Sequence, residues 1–452
     1  MKNCLLPILG IALAASACSS GESSNDVSLV TLDPGHFHAA LVQKTQLPGV
    51  SHDVYVYAPE GEEVDQHLKL VDGYNTRSED PTSWNEIVYR GDDFLEKMIS
   101  EKKGNVMVSA GNNAKKTEYL KKTLDAGFNV LADKPMAINS SNFALLVDCF
   151  RTAEKNGVLL YDIMTERFEI STILQKELSL IPAIYGTQTA GTPDNPGVTM
   201  RSVHNFYKNV SGNALTRPAW FYDVTQQGEG IADVMVHLVD LVQWECFPEQ
   251  IIDYSKDIKF TSAKHWPTSL DLAQFKYSTG LDEFPDFLMP YVGEDGLLDV
   301  YANGQIDYQL KGVNVRVITL WDYEAPAGAG DSHYSRMRGS RAELIIRQGE
   351  EQDFVPELYV EPVVKGDPGY AEQFLKSFSA IASKYPGVVA EPYAGGWNIV
   401  IPDSYRNGHE AHFGQVTENF LKYLSDGKLP EWEVPNMIAK YYTTTHAWEM
   451  VQ

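Results

Sequence analysis

Six short apolar runs alternate with longer segments of helical periodicity across residues 27–160, and this alternation constrains the fold more than any other feature of the chain. The runs lie at 28–32, 53–57, 87–89, 106–109, 129–132 and 158–162, with helical pattern at 36–45, 93–102, 113–126 and 140–156. Strands that alternate with helices pair in parallel, through crossovers. The expectation is an α/β domain with a Rossmann-like, doubly wound parallel sheet, whose ligand crevice lies outside the carboxyl ends of the strands.

Beyond Arg167 the texture changes. Strand pattern dominates at 182–190, 249–261, 270–278, 296–310, 312–322, 333–347 and 353–364, and helical pattern returns at 370–384, 409–426 and 435–450. Consecutive strands without intervening helices predict an α+β domain built on a large, mainly antiparallel open sheet. A chain of 452 residues exceeds what one core usually serves. The reading is therefore an α/β domain over 27–165, an α+β domain over 166–435 and a final helix, 436–452, packing back on the body. No internal repeat is visible.

The first 18 residues, MKNCLLPILGIALAASAC, read as an export signal, and Ala15-Ser16-Ala17-Cys18 is similar to a bacterial lipobox whose cysteine is acylated. Plain secretory cleavage near Ala17 is the alternative. Residues 19–26 would form a polar tether. The expected location is outside the cytoplasm, with lipidation at Cys18 anchoring the chain to the bacterial cell envelope, either at its periplasmic face or at the cell surface. Only Cys149 and Cys246 remain besides that anchor, too few for a disulfide framework. A formal net charge of -24 argues against nucleic acid and against any membrane contact other than the lipid, and suits a neutral small molecule such as a carbohydrate.

Two stretches carry chemistry. In 217–244, Gly228 and Gly230 open what reads as a helix, with Asp233 and His237 four apart on one face and Asp240 close to the same face. A buried acid and imidazole need each other or a ligand; a satisfied structural pair is the alternative. In 129–138, NVLADKPMAI, a strand runs into Lys134-Pro135 and aims the lysine at the crevice.

Together these stretches resemble the Gfo/Idh/MocA family of sugar oxidoreductases, the glucose-fructose oxidoreductase and inositol dehydrogenase group. The segment from Asn105 to Lys134 is similar to the family's strand, Asn-containing loop, helix and Glu-Lys-Pro segment, with Asp133 in place of Glu. DIMTERF (162–168) is similar to the Arg-Phe stretch entering the second domain, and WFYD (220–223) precedes GEGIADVMVH, similar to the Asp-x-Gly-x-His helix with Met235 in place of Gly. The resemblance implies Lys134, Asp233 and His237 as the catalytic trio, with NAD or NADP as cofactor. Proton removal from a sugar hydroxyl by His237, alone or with Asp233, would accompany hydride transfer. A homo-oligomer assembled through the second domain's sheet is a further implication. One variant of this activity is glycoside cleavage assisted by a transient ketone.

The phosphate turn departs from that family. LDPGHFHAA (32–40) has a single glycine, and Asp33-Pro34 reads as an N-cap and first helical residue, placing a carboxylate where a pyrophosphate needs N–H donors. Gly35, His36, Phe37, Glu60, Asn112, Asn113 and Lys134 are the candidate cofactor contacts, with Glu60 reaching for the adenosine ribose. His36 and His38, two apart at a helix start, would face different sides, so no metal site is expected from them. Arg167, His204, Tyr222, Trp397 and His409 are the candidate sugar contacts. A carbohydrate-binding lipoprotein that keeps the fold and has lost the nucleotide is the competing expectation.

Overall fold

The computed structural model describes residues 27–210 and 213–452; the signal segment, Cys18 and the tether lie outside the described residues. The first sheet contains β1 (Leu29–Leu32), β2 (Asp53–Ala58), β3 (Asn85–Arg90), β4 (Val106–Ser109), β5 (Asn129–Asp133) and β6 (Leu160–Ile163). All pairs are parallel, in the order β3-β2-β1-β4-β5-β6. The order reverses between β1 and β4, which opens a crevice at their carboxyl ends. β1, β4 and β6 are buried at every residue, as a sheet covered on both faces requires.

The crossovers are α1 (His38–Leu41), α2 (Glu62–Thr76), α3 (Phe94–Glu101), α4 (Asn113–Asp125) and α5 (Ser140–Asn156). α5 shows why such a segment starts and stops: the Asn139 side chain accepts from the Asn142 N–H, and Gly157 ends the helix in the left-handed region. α1 is far shorter than the helix expected at 36–45, and α2 has no counterpart in the sequence reading.

The second lobe carries α6 (Ile170–Ser179), α7 (Val224–Gln227), α8 (Met235–Cys246), α9 (Tyr254–Asp257), α10 (Leu272–Thr279) and α11 (Pro368–Lys384). Its strands are β7 (Val198–Tyr207), β8 (Asn209–Val210), β9 (Asn213–Ala214), β10 (Ile258–Leu270), β11 (Leu298–Leu310), β12 (Val313–Glu324), β13 (Ser332–Arg338), β14 (Ala342–Arg347), β15 (Glu357–Pro362), β16 (Val389–Tyr393) and β17 (Gly396–Val400). Nine of them form one sheet, β10-β11-β12-β7-β13-β14-β15-β17-β16, antiparallel except where β12 meets β7. The α+β expectation holds, with local corrections. The strand expected at 270–278 is α10, started by an Asp271–Gln274 capping box. No named strand occupies 182–190, and 333–347 is two strands rather than one.

α12 (His409–Asp426) and α13 (Glu433–Glu449) return to the first lobe. Phe413, Val416, Phe420, Met437 and Tyr441 join Leu29, Val108 and Leu131 in one apolar core. Each such side chain contributes roughly 1.5–3 kcal/mol by leaving water. Among the described residues no helix is long and apolar enough to cross a membrane.

Candidate active site

The strand ends of the first sheet and the face of the second lobe enclose a cleft of about 900 Å³. His36, Phe37 and His38 reach it from the β1 turn, Lys134 from the end of β5, His204 from β7, His237 from α8 and His409 from α12. Asp233 reaches it from the segment just before α8.

Lys134 and Asp233, 99 residues apart in sequence, meet here. Lys134 Nζ donates to Asp233 Oδ1 at 2.9 Å, and Gln227 Nε2 donates to Oδ2 at 2.8 Å. Both carboxylate oxygens are thereby held, so Asp233 fixes the ammonium instead of acting as a free base. Asp233 is not on a helix, contrary to expectation; it sits in the turn that precedes α8, with its N–H bonded to the Glu229 carbonyl. Gly230 makes this turn possible: a Cβ there would lie 1.7 Å from the Ala302 carbonyl oxygen, so only glycine lets the segment approach β11.

His237, in the first turn of α8, borders the cleft. Its Nδ1 is buried and has no hydrogen-bond partner among the described residues. Burial first, and the Lys134 ammonium second, hold its imidazole well below the ordinary histidine value. It is therefore neutral at neutral pH, the form that accepts a proton.

The β1 turn is the largest departure from expectation. Asp33 does not cap a helix: it takes a left-handed backbone conformation (φ 46°), and its Oδ2 accepts from the Tyr119 hydroxyl at 2.9 Å. Three of the nearby N–H groups are used by the chain itself. Gly35 N–H reaches the Asp33 carbonyl at 2.9 Å and His36 N–H the Ala110 carbonyl at 3.1 Å, while His38 N–H reaches His36 Nδ1 at 3.3 Å. A Cβ on Gly35 would meet Trp220 Cζ2 at 3.2 Å. The remaining cavity, between this turn, Glu63 and Gln66 of α2, and residues 215–218, is about 40 Å³.

His36 and His38 do not diverge, because the regular helix begins only at His38 and the His36 ring folds back over its start. The rings lie 4.1 Å apart, and both face Asp133, with His38 Nδ1 at 3.0 Å and His36 Nδ1 at 4.0 Å from Asp133 Oδ2. Burial lowers both imidazoles well below the ordinary value, helped by His38 at His36 and by His409 at His38. The end of β5 is braced from below by Lys116, whose buried Nζ donates to the Asp133 backbone carbonyl at 2.9 Å.

Several expected contacts lie elsewhere. Arg167 does not reach the cleft; it is buried against Asp240 (2.6 and 2.7 Å) and Glu433 (2.9 Å). Asp240, three residues beyond His237 in α8, has its carboxylate engaged by that cluster, and the guanidinium and Lys440 hold its carboxyl below the ordinary range despite burial. The buried Tyr222 donates to Ser278 Oγ at 2.5 Å and stacks on Phe206. Trp397 packs 4.3 Å from the Phe374 ring against α11. None of the three lines the cleft. Nor do Asn112 and Asn113, which tie α4 to the second lobe through Gln226 Oε1 and the Gln227 carbonyl. Glu60 stands exposed beyond β2, 3.4 Å from Arg90.

His204 and His409 do border the cleft. His204 Nδ1 lies 3.1 Å from Asp331 Oδ2, which also accepts from Lys208 Nζ at 2.9 Å. The sequence reading missed Asp331, Lys208, Glu166 and the loop 325–330 that close this side. The small-residue run APAGAG after β12 was the available signal.

The cleft thus sets a lysine at a parallel strand end against an acid and an imidazole from a sheet-based second lobe. The family described as "Putative oxidoreductase C terminal domain" matches residues 174–452, and the chain belongs to it. A crystal structure from Parabacteroides merdae ATCC 43184, described as a "putative oxidoreductase", is 59% identical, with a TM-score of 0.92 over 94% of this chain and 98% of that one. More distant structures share the fold alone. A "putative myo-inositol dehydrogenase" from Sinorhizobium meliloti 1021 is 11% identical (TM-score 0.54; 94% and 97% covered). KijD10, a 3-ketoreductase from Actinomadura kijaniata in complex with NADP and TDP-benzene, is 11% identical (TM-score 0.54; 92% and 95% covered). No curated protein matches the chain.

Proposed function

We propose that this chain is an exported oxidoreductase of the cell envelope that acts on a hydroxyl-bearing carbon of a sugar or glycoside, with NAD or NADP as hydride carrier. The single observation that carries the reading is the Lys134–Asp233 pair facing a neutral His237 across a cleft large enough for a sugar. His237 takes the hydroxyl proton, and Lys134, held by Asp233, stabilises the charge that develops on the oxygen. The ketoreductase and dehydrogenase names of the fold neighbours support the substrate class, and the NADP of KijD10 supports the cofactor class. Glycoside cleavage through a transient ketone uses the same groups.

A bound nicotinamide would supply the hydride acceptor. The turn as it stands does not fit a pyrophosphate: the Gly35, His36 and His38 N–H groups are taken, and the space beside it is about 40 Å³ against the roughly 300–1,000 Å³ of a ligand pocket. A dinucleotide requires Trp220 and residues 215–218 to lift off Gly35. That same geometry favours the second reading, a carbohydrate-binding lipoprotein without nucleotide. Mass spectrometry of the denatured protein, with product analysis after incubation with hexoses and glycosides, tests both. Stoichiometric NAD or NADP and a ketone product support the enzyme; sugar binding with neither supports the binder.

A further inference from the structure

We propose that His36, His38 and Asp133 form a binding site for one divalent transition-metal ion, open toward the sugar cleft. One ligand atom from each residue lies within 4.8 Å of the other two. Bonds of about 2.1 Å to neighbouring positions of one ion place ligand atoms roughly 3.0–3.5 Å apart. The 3.0 and 4.0 Å separations from Asp133 Oδ2 bracket that spacing, and a ring rotation that releases His36 Nδ1 from the His38 N–H completes the set.

Three further features point to a cation. Asp133 is buried, its Oδ1 has no hydrogen-bond partner among the described residues, and no lysine or arginine there pairs with its carboxylate. Lys116, the adjacent buried ammonium, bonds the Asp133 backbone instead. A buried carboxyl oxygen left without a partner beside two imidazole nitrogens is a position that a divalent ion fills. Both rings are neutral through burial, the state that ligates. Two imidazoles and one carboxylate suit Mn, Fe, Co, Ni or Zn rather than Mg or Ca, and three protein ligands leave positions free for substrate oxygens.

The site stands where the β1 turn would present donors to a phosphate, so the chain offers a cation in place of an anion-binding turn. Binding of the metal stands independently of the reaction; its use, to polarise a sugar hydroxyl or carbonyl oxygen beside Lys134, rests on the proposed function.

Co²⁺ is the probe. Chelator-stripped full-length protein titrated with CoCl₂ should take up one equivalent and develop visible d–d absorption. His38→Ala and Asp133→Asn should each weaken uptake at least tenfold with unchanged circular dichroism. Uptake of Co²⁺ that neither variant weakens, or no uptake by the wild type, overturns the site. Should a variant fail to fold, protection of His36 and His38 from diethyl pyrocarbonate by Co²⁺ in the wild type, read by peptide mass spectrometry, decides instead: protection supports the site and equal modification overturns it. None of these readouts needs sugar or nucleotide, so a failed metal site and a failed oxidoreductase reading are told apart.

Discussion

Two clusters of polar and charged groups lie beside α8, and they differ in how completely they satisfy themselves. On one side Arg167, Asp240, Glu433, Lys440 and Asp162 form a dense ionic network, with both oxygens of Asp240 and Glu433 engaged and Lys440 Nζ 2.8 Å from both Asp240 and Asp162. On the other, His237 Nδ1, His204 Nε2 and Asp133 Oδ1 have no partner among the described residues. Satisfied buried charge holds a fold in one arrangement, whereas unsatisfied polar atoms beside a cleft are available to a ligand. The difference teaches that Asp and His at helical spacing do not identify a site; what their free atoms face does.

Four substitutions and the pH dependence of activity sharpen that contrast. The largest effect is expected on the cleft side: Lys134→Ala or His237→Ala should lower kcat/KM by roughly 10²–10⁴-fold, the usual worth of a positioned acid or base. The urea unfolding midpoint of His237→Ala should stay near that of the wild type, and a midpoint that falls with the activity would merge the two clusters in kind. Arg167→Met should do the opposite, removing about 3–5 kcal/mol of stability by stranding Asp240 and Glu433, as read from urea unfolding. Protein that remains folded should keep its KM, and a selective rise in KM would return Arg167 to the substrate.

The pH profile comes next. Because the imidazole of His237 is held low, its basic form persists at pH 7, and activity should fall only well below pH 6.5 as the ring takes a proton. Removing the Lys134 charge relieves the second cause of that depression, so the residual activity of Lys134→Ala should show its acid limb shifted upward. A limb that stays in place would detach Lys134 from His237. The smallest effect is expected for Tyr222→Phe, which loses one buried hydrogen bond to Ser278, about 1 kcal/mol, without changing KM.

Much of this was legible in the chain. All six strands of the first sheet overlap apolar runs; β1, β4 and β6, buried throughout, carry no polar alternation to confuse the reading, whereas the edge strand β3 is partly exposed along its length. α2 was missed because its segment, EEVDQHLKLVDGYNT, buries only four side chains, and α10 was mistaken for a strand because its capping box outweighs an ambiguous apolar pattern. Lys134 and Asp233 were both named, yet their contact is a property of the fold, since 99 residues separate them. The Asp233–His237 helix failed because Gly228 and Gly230 prolong a turn through Asp233. Likewise the opposed orientation assumed for His36 and His38 presupposed a regular helix that starts two residues later than the first of them.

The return of α12 and α13 to the first sheet bears on how the polypeptide matures. Phe413, Phe420 and Met437 fill the same interior as Leu29 and Val30, so nearly the whole chain must be synthesised before the earliest strands find their last neighbours. Until then the amino-terminal half presents greasy surface to its surroundings, and a holding chaperone has its natural target there.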